Sequence, residues 1–161
     1  VSTVRDTDRG AKALVARLRA LRVSSAAVRV GILSDQPKRQ RDGGGGGKEP
    51  YSLVEVAAVH EFGAPAAGIP RRSFIRATID EKRAEVERLE RALLAQVVEG
   101  KIELRQALDL MGAKVAGWIQ TRIADGIAPP NAASTVRRKK SSKPLVDTGQ
   151  LRSAVTWVVE G

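Results

Sequence analysis

The only histidine of the chain, His60, opens the segment His60-Glu61-Phe62-Gly63-Ala64. A His-Glu-x-x-His helix holds zinc by setting two imidazoles on one face, with the glutamate as general base. Here the second histidine position is Ala64, so one ligand stands where two are needed. Any serine triad would also have to use His60 as its base. Val30-Gly31-Ile32-Leu33-Ser34 is not the Gly-x-Ser-x-Gly turn that exposes a nucleophile. The chain has no cysteine, which removes disulfides, thiolate nucleophiles and cysteine-held zinc. His60 therefore reads as a satisfied structural residue. The carboxylates between residues 80 and 99 alternate with Lys82, Arg83, Arg88 and Arg91, the pattern of a salt-bridged solvent face. A metal held by carboxylates alone is the weaker alternative. The expectation is a protein that is not an enzyme and carries no cofactor.

The other chemistry is charge. The formal net charge is +10, which favours solubility and attraction to polyanions. Two loop-like stretches are strongly basic. One spans residues 35–49, with Lys38, Arg39, Arg41 and Lys48 around the glycine run Gly43 to Gly47. Such a backbone suits a flexible loop rather than a packed element. It is not a phosphate-binding P-loop, because Lys48 is followed by Glu49 and Pro50. The other spans Asn131 to Lys143 and carries Arg137, Arg138, Lys139 and Lys140. The aromatic interleaving expected of single-strand binding is missing, since Trp118 and Trp157 sit in apolar contexts. The helical pair between 75 and 124 is too long for a helix-turn-helix.

Hydrophobic spacing supplies the elements that carry these residues. Ala11, Leu14, Val15, Leu18 and Leu21 predict an amphipathic helix over about 8–22, with Asp8 as its N-cap and Arg9, Lys12, Arg17 and Arg19 on the solvent side. Alternation of Val28, Val30 and Ile32 predicts a half-buried strand over 27–33. Ser52 and Glu55 form a capping-box pair for a helix from Leu53 to Phe62, closed by Gly63 in a left-handed cap. A long helix is predicted from Ser73 to Glu99 on Ile75, Ile79, Val86, Leu89, Leu93 and Val97. A second runs from Leu104 to Ala124 on Leu104, Leu108, Met111, Val115, Ile119 and Ile123. Gly112 and Gly117 could admit a close neighbour to that second helix. Asp147 and Gln150 cap a short helix, Thr148 to Ala154, before a strand, Val155 to Glu160, that can pair with 27–33. The expected fold is α+β: a small antiparallel sheet packed with two long helices and shorter ones.

The 161 residues fit one domain over 1–161. Aromatic residues make up 3% of the chain, so Leu, Val, Ile and Ala do the packing. That suits a subunit stabilised by its neighbours. No apolar run approaches the roughly 20 residues that span a bilayer, and Val1 to Gly10 is too polar for a secretory signal. The expectation is a soluble protein made in the cytoplasm, with no membrane partner.

Two segments point further. Val59-His60-Glu61-Phe62-Gly63, then Ile69-Pro70-Arg71-Arg72-Ser73-Phe74-Ile75-Arg76, resembles a hallmark of tailed-bacteriophage neck and tail-completion proteins. In those families an alanine-rich helix ending in a His-Glu-aromatic-Gly turn precedes Ile-Pro-x-Arg-Pro-Phe-Leu-Arg. Ser73 stands here for the usual proline and Ile75 for the usual leucine. Pro129-Pro130-Asn131, then Thr135, then Lys143-Pro144-Leu145-Val146-Asp147-Thr148-Gly149-Gln150-Leu151-Arg152-Ser153 is similar to their C-terminal Pro-Leu-x-Asp-Thr-Gly-x-Leu-x-x-Ser signature. The similarity covers about residues 28–160.

The resemblance implies a virion protein of the head–tail neck, either collar or tail-completion ring. It implies a homo-oligomer, a hexameric ring closed by heterologous interfaces, joining the capsid connector to the tail around the DNA path. The motif residues His60, Glu61, Phe62, Pro70, Arg71, Arg72, Phe74, Asp147, Thr148, Gly149 and Leu151 become candidates for contacts within or between subunits. Arg71 and Arg72 are suited to carboxylate forks. Phe74 and Ile75 anchor the helix start, Asp147 caps the short helix, Gly149 admits close backbone approach, and Leu151 plugs the core. Lys38, Arg39, Arg41, Arg137, Arg138, Lys139 and Lys140 are expected to face DNA or a neighbouring ring. Two other classes compete: a basic, sequence-independent nucleic-acid-binding protein, and a small hydrolase, which the residue inventory disfavours.

Overall fold

The computed structural model describes residues 9–33, 52–130 and 149–161. The element order is α1 (Arg9–Val23), β1 (Ala27–Ile32), α2 (Leu53–Phe62), a 3-10 turn (Pro65–Ala67), α3 (Arg76–Glu81), α4 (Arg83–Glu99), α5 (Leu104–Asp125), α6 (Gln150–Ser153) and β2 (Val155–Glu160). This is the expected α+β fold, an antiparallel pair of strands packed against helices that include the long α4 and α5. The expected loop over 35–49 and the basic stretch 131–143 lie outside the described residues.

The strands pair from Ala27 opposite Glu160 to Ile32 opposite Val155. Arg29 and Glu160 form an ion pair across them. Two strands alone are marginal in water and need a helix on one face; α5 packs on both strands. Gly112 explains how closely. A Cβ there would lie 2.5 Å from Cδ1 of Trp157 and 2.8 Å from Cγ2 of Val28. The indole occupies the space a side chain would fill, and its Nε1 donates to Asp109 one turn earlier, at 2.8 Å. The amide of Gln120 adds a second tie, donating to the Val155 carbonyl at 3.0 Å. Gly117, by contrast, faces open space, so close approach explains only one of the two helical glycines.

Among the described residues the core has two parts. The main cluster joins Ala57, Phe74, Val115, Ala116, Ile119, Ile123, Leu151 and Val155. The smaller one joins Leu93, Val97 and Ala107, with Leu21, Leu89, Leu104 and Met111 against it. The division accounts for the largest departure from expectation in the helices. Instead of one helix from Ser73 to Glu99, α3 and α4 meet at Lys82, which has φ −94° and ψ 11°. Bonding continues through the joint: the Lys82 amide donates to Thr78 at 2.9 Å, and its carbonyl accepts from Val86 at 2.8 Å. The apolar stripe skips a turn there, with Lys82 and Arg83 between Ile79 and Val86. Ile75, Ile79 and Val86 pack on the main cluster, Leu89, Leu93 and Val97 in the smaller one, and the helix is interrupted between the two targets.

Three other expectations change. The α1 stripe is mostly uncovered: Leu21 packs on the smaller cluster, whereas Leu14, Val15 and Leu18 are exposed. Arg17 is not on a free solvent face but donates to the Val98 carbonyl at 3.2 Å. The helix α6 starts at Gln150 rather than Thr148, with Gly149 as its N-cap at φ 75°. That position needs glycine for its left-handed backbone, not for close approach, because a Cβ there would meet nothing.

Candidate functional site

The residues of the first motif converge on one buried carboxylate. The capping box at Ser52 starts α2, with the Ser52 hydroxyl accepting from Glu55 N–H at 3.1 Å and the Glu55 carboxylate accepting from Ser52 N–H at 2.7 Å. The helix then delivers Glu61 to its last turn, where it is buried. Gly63 has φ 80° and ψ 167°, a positive-φ turn that is extended rather than helical at its far side. Its Cα lies so near the returning chain that a Cβ would sit 3.0 Å from the Arg71 nitrogen. Ala64 and Ile69 exchange backbone hydrogen bonds at 2.9 and 3.0 Å, closing a short loop around Pro65–Ala67. The Arg72 amide then donates to the His60 carbonyl at 2.7 Å. This return places residues 73–76 beside Glu61.

A helix start leaves four amides without partners inside the helix. Glu61 supplies acceptors for two of them, Ile75 and Arg76, and for the preceding Phe74, from a distant part of the chain. One oxygen, Oε2, accepts from Phe74 N–H at 2.8 Å and Ile75 N–H at 3.0 Å. The other, Oε1, accepts from the Ser73 hydroxyl at 2.6 Å and Arg76 N–H at 3.0 Å. The Ser73 oxygen in turn accepts from Ala77 N–H at 3.2 Å. Thr78, also buried, donates its hydroxyl to the Phe74 carbonyl at 2.6 Å. Burial pushes the Glu61 pKa up, but the Ser73 hydroxyl and the Ile75, Arg76 and Phe74 amides together outweigh it, holding the carboxyl below its ordinary range. The carboxylate is ionised at neutral pH, and each oxygen already accepts two hydrogen bonds. It is spoken for as a cap and has no lone pair left for general-base work.

Arg72 links this knot to the C-terminal end of α5. Its side chain is buried; Nε donates to the Pro129 carbonyl at 2.8 Å and an Nη to the Pro130 carbonyl at 3.1 Å. The expected carboxylate fork is replaced by a grip on two backbone oxygens. The planar guanidinium spans both with donors in a fixed fork, a geometry that the compact ammonium of a lysine does not reproduce. Arg71 is exposed and touches the site through its backbone. Phe74 has no exposed surface and Leu151 is buried, both in the main cluster. A second cation at this end, Arg122, donates to Glu81 at 2.6 Å and ties α5 to α3.

Apart from Gly149, the N-cap of α6, and Leu151, buried in the main cluster, the candidate residues fall into three groups. Glu61, Arg72 and Phe74 are brought together and buried, with His60 joined to them through its carbonyl. Phe62, Pro70 and Arg71 face outward, Phe62 being 67% exposed. Asp147, Thr148, Lys38, Arg39, Arg41, Arg137, Arg138, Lys139 and Lys140 lie outside the described residues. Ser73, Thr78, Arg122 and the carbonyls of Pro129 and Pro130 were not singled out for these roles. Only Ser73, a helix-start serine, had a readable signal. Among the described residues no three His, Asp or Glu side chains are grouped so that they could hold a metal ion. Nor, among them, is any helix long and apolar enough to cross a membrane. No family model, curated protein or solved structure matches the chain.

Proposed function

We propose that the chain is a structural subunit of a tailed-bacteriophage neck, a collar or tail-completion ring that joins the capsid connector to the tail around the DNA path. The carrying observation is the double linkage of the motif segments. Glu61 of the His-Glu-Phe-Gly turn caps the backbone of Ser73–Arg76 in the Ile-Pro-Arg-Arg segment. Arg72 of that segment grips the Pro129 and Pro130 carbonyls, which open the C-terminal segment. Leu151, from the same C-terminal segment, shares the Phe74 cluster. The motif residues thus act as a frame that fixes backbone, which suits a protein whose task is shape. Mass measurement on the purified chain, with negative-stain microscopy, tests this: a closed ring is expected. Localisation in virions at the head–tail junction is the decisive companion, and absence from virions would defeat the proposal.

A sequence-independent nucleic-acid-binding protein is the second reading, and one observation favours it. Between Arg9 and Ile32 the chain carries Arg9, Lys12, Arg17, Arg19, Arg22 and Arg29 and no acidic residue. Tight DNA binding by a monomer, weakening steeply with salt, would select this reading.

A further inference from the structure

We propose that the outward side of α1 is a contact for the phosphate backbone of duplex DNA, carried by Lys12, Arg19 and Arg22. The proposal rests on the nucleic-acid reading above and assigns it a surface: the first helix rather than the basic stretches 35–49 and 131–143.

The side of α1 that meets its own chain is well defined. Leu21 packs on the smaller cluster, and Arg17 donates to the Val98 carbonyl. Arg17, Ala20 and Leu21 line a crevice opposite Val97, Glu103 and Leu104. At 3.6 residues per turn, Lys12 precedes Leu21 by about two and a half turns and so stands on the opposite side of the helix. Arg19 follows Lys12 by about two turns, on the same line, and Arg22 comes about one turn later, beside that line. All three are exposed.

Their charges are available. Arg17 is engaged at Val98, and Arg29 is paired with Glu160. Among the described residues, no ion pair engages Lys12, Arg19 or Arg22. From Arg9 to Ile32 there is no carboxylate to offset them. Of the carboxylates at the turn between α4 and α5, Glu103 is on the crevice side and Glu99 is paired with Lys101.

The surroundings of these cations suit a backbone rather than bases. Val15 and Ala16, both exposed, fill the interval between Lys12 and Arg19 and carry no polar group to read a base edge. The helix has no Asn, Gln, Ser or Thr. No aromatic residue lies between Arg9 and Ile32, so an unpaired base would have nothing to stack on, and a duplex fits better than a single strand. From Lys12 to Arg22 the helix rises about 15 Å, enough to follow several phosphates spaced by about 3.4 Å of axis on one strand. Leu14 and Leu18 stand nearer the Leu21 side than the Lys12 side. A flat anionic bilayer resting on the cations would therefore not take up those leucines.

The test is titration of a mixed-sequence duplex with the full chain at several salt concentrations. Each neutralised phosphate contributes about 0.9 to the slope of log affinity against log salt. Lys12→Gln, Arg19→Gln and Arg22→Gln combined should therefore lower that slope by about 2–3 and weaken binding about tenfold or more at low salt. Circular dichroism and the melting temperature should stay those of the parent, because all three positions are exposed. An unchanged slope in this variant would overturn the α1 contact and leave the nucleic-acid reading standing. Tighter binding to vesicles of anionic lipid than to duplex, lost in the same variant, would assign the stripe to a membrane instead. A parent chain without salt-sensitive binding to duplex would sink both the contact and the nucleic-acid reading.

Discussion

The two ends of α5 are built on different principles. At the end, Glu61 and Arg72 are buried charges, and hydrogen bonds from or to the backbone satisfy them. Phe74, Ile119 and Ile123 are fully enclosed around them. At the beginning, among the described residues, the half-buried Leu21 and an exposed hydrogen bond from Arg17 hold α1, and Leu14, Val15 and Leu18 of its apolar stripe are exposed. Stability is uneven across a fold, and segments with few buried contacts open first. The lesson is that sequence features of similar prominence can serve opposite ends. The motif around Glu61 is turned inward and defines the backbone; the amphipathic α1 leaves Leu14, Val15 and Leu18 exposed. Substitutions should separate the two ends sharply.

The largest effect is expected at Glu61. Glu61→Ala removes an acceptor from three amides and the Ser73 hydroxyl. Each buried donor left unsatisfied costs about 1–3 kcal/mol, and neighbouring losses are not additive. A total of about 3–5 kcal/mol is expected in urea denaturation, and a change under about 1 kcal/mol would mean that water replaces the cap. Arg72→Ala should come next, at about 2–3 kcal/mol, because hydrogen bonds from a charged group contribute about 1.5–3 kcal/mol. Arg72→Lys should rescue only part of it, since one ammonium cannot repeat the geometry at both Pro129 and Pro130. Gly112→Ala tests the sheet's seat on α5. The new Cβ would meet the Trp157 ring, which is held by Asp109. Overpacking of this kind costs about 1–3 kcal/mol, and a shift in Trp157 fluorescence should accompany it.

The Glu61 cap also sets an acid dependence, of intermediate size. Its carboxyl titrates lower in the folded chain than in the unfolded one. The unfolded state therefore binds the proton first as pH falls, and stability drops with it. The cap's contribution is fully present above the ordinary carboxylate range and is lost as pH falls through the folded value. Stability against pH should slope through that acidic window in the parent protein. In Glu61→Gln the slope should be reduced; an unchanged slope would assign the acid sensitivity to other carboxylates.

The features readable beforehand were the local ones. The Ser52–Glu55 capping box joins residues three apart, so spacing alone reveals it. The strands announce themselves by alternation, and their pairing follows because one face of each must be covered. The knot was not readable in the same way. Glu61 meets donors 12 to 15 residues away and Arg72 meets carbonyls 57 and 58 residues away. Nothing in residue type distinguishes such a carboxylate from half of a zinc motif. The break at Lys82 was marked only by the turn that the apolar stripe skips at Lys82 and Arg83, because Ile79 and Val86 stay in helical register across a joint whose hydrogen bonds persist. The exposure of α1 was hidden for a related reason: an amphipathic pattern shows which side is apolar and not whether the covering partner is in the same chain.

The smallest effect on folding is therefore expected where the sequence pattern looks most like core. Leu18→Ser removes an apolar side chain that is already half in water. A surface substitution of this kind stays within about 0.5 kcal/mol in a monomer. A genuine core leucine would lose about 2–5 kcal/mol on truncation to alanine. The measurement that separates these cases is denaturation at two protein concentrations. If α1 is covered only by a neighbour, Leu18→Ser should match the parent when dilute and fall below it when concentrated, because association stabilises the parent by mass action. A loss of equal size at both concentrations would place Leu18 in the core of its own chain and remove the distinction between the two ends of α5.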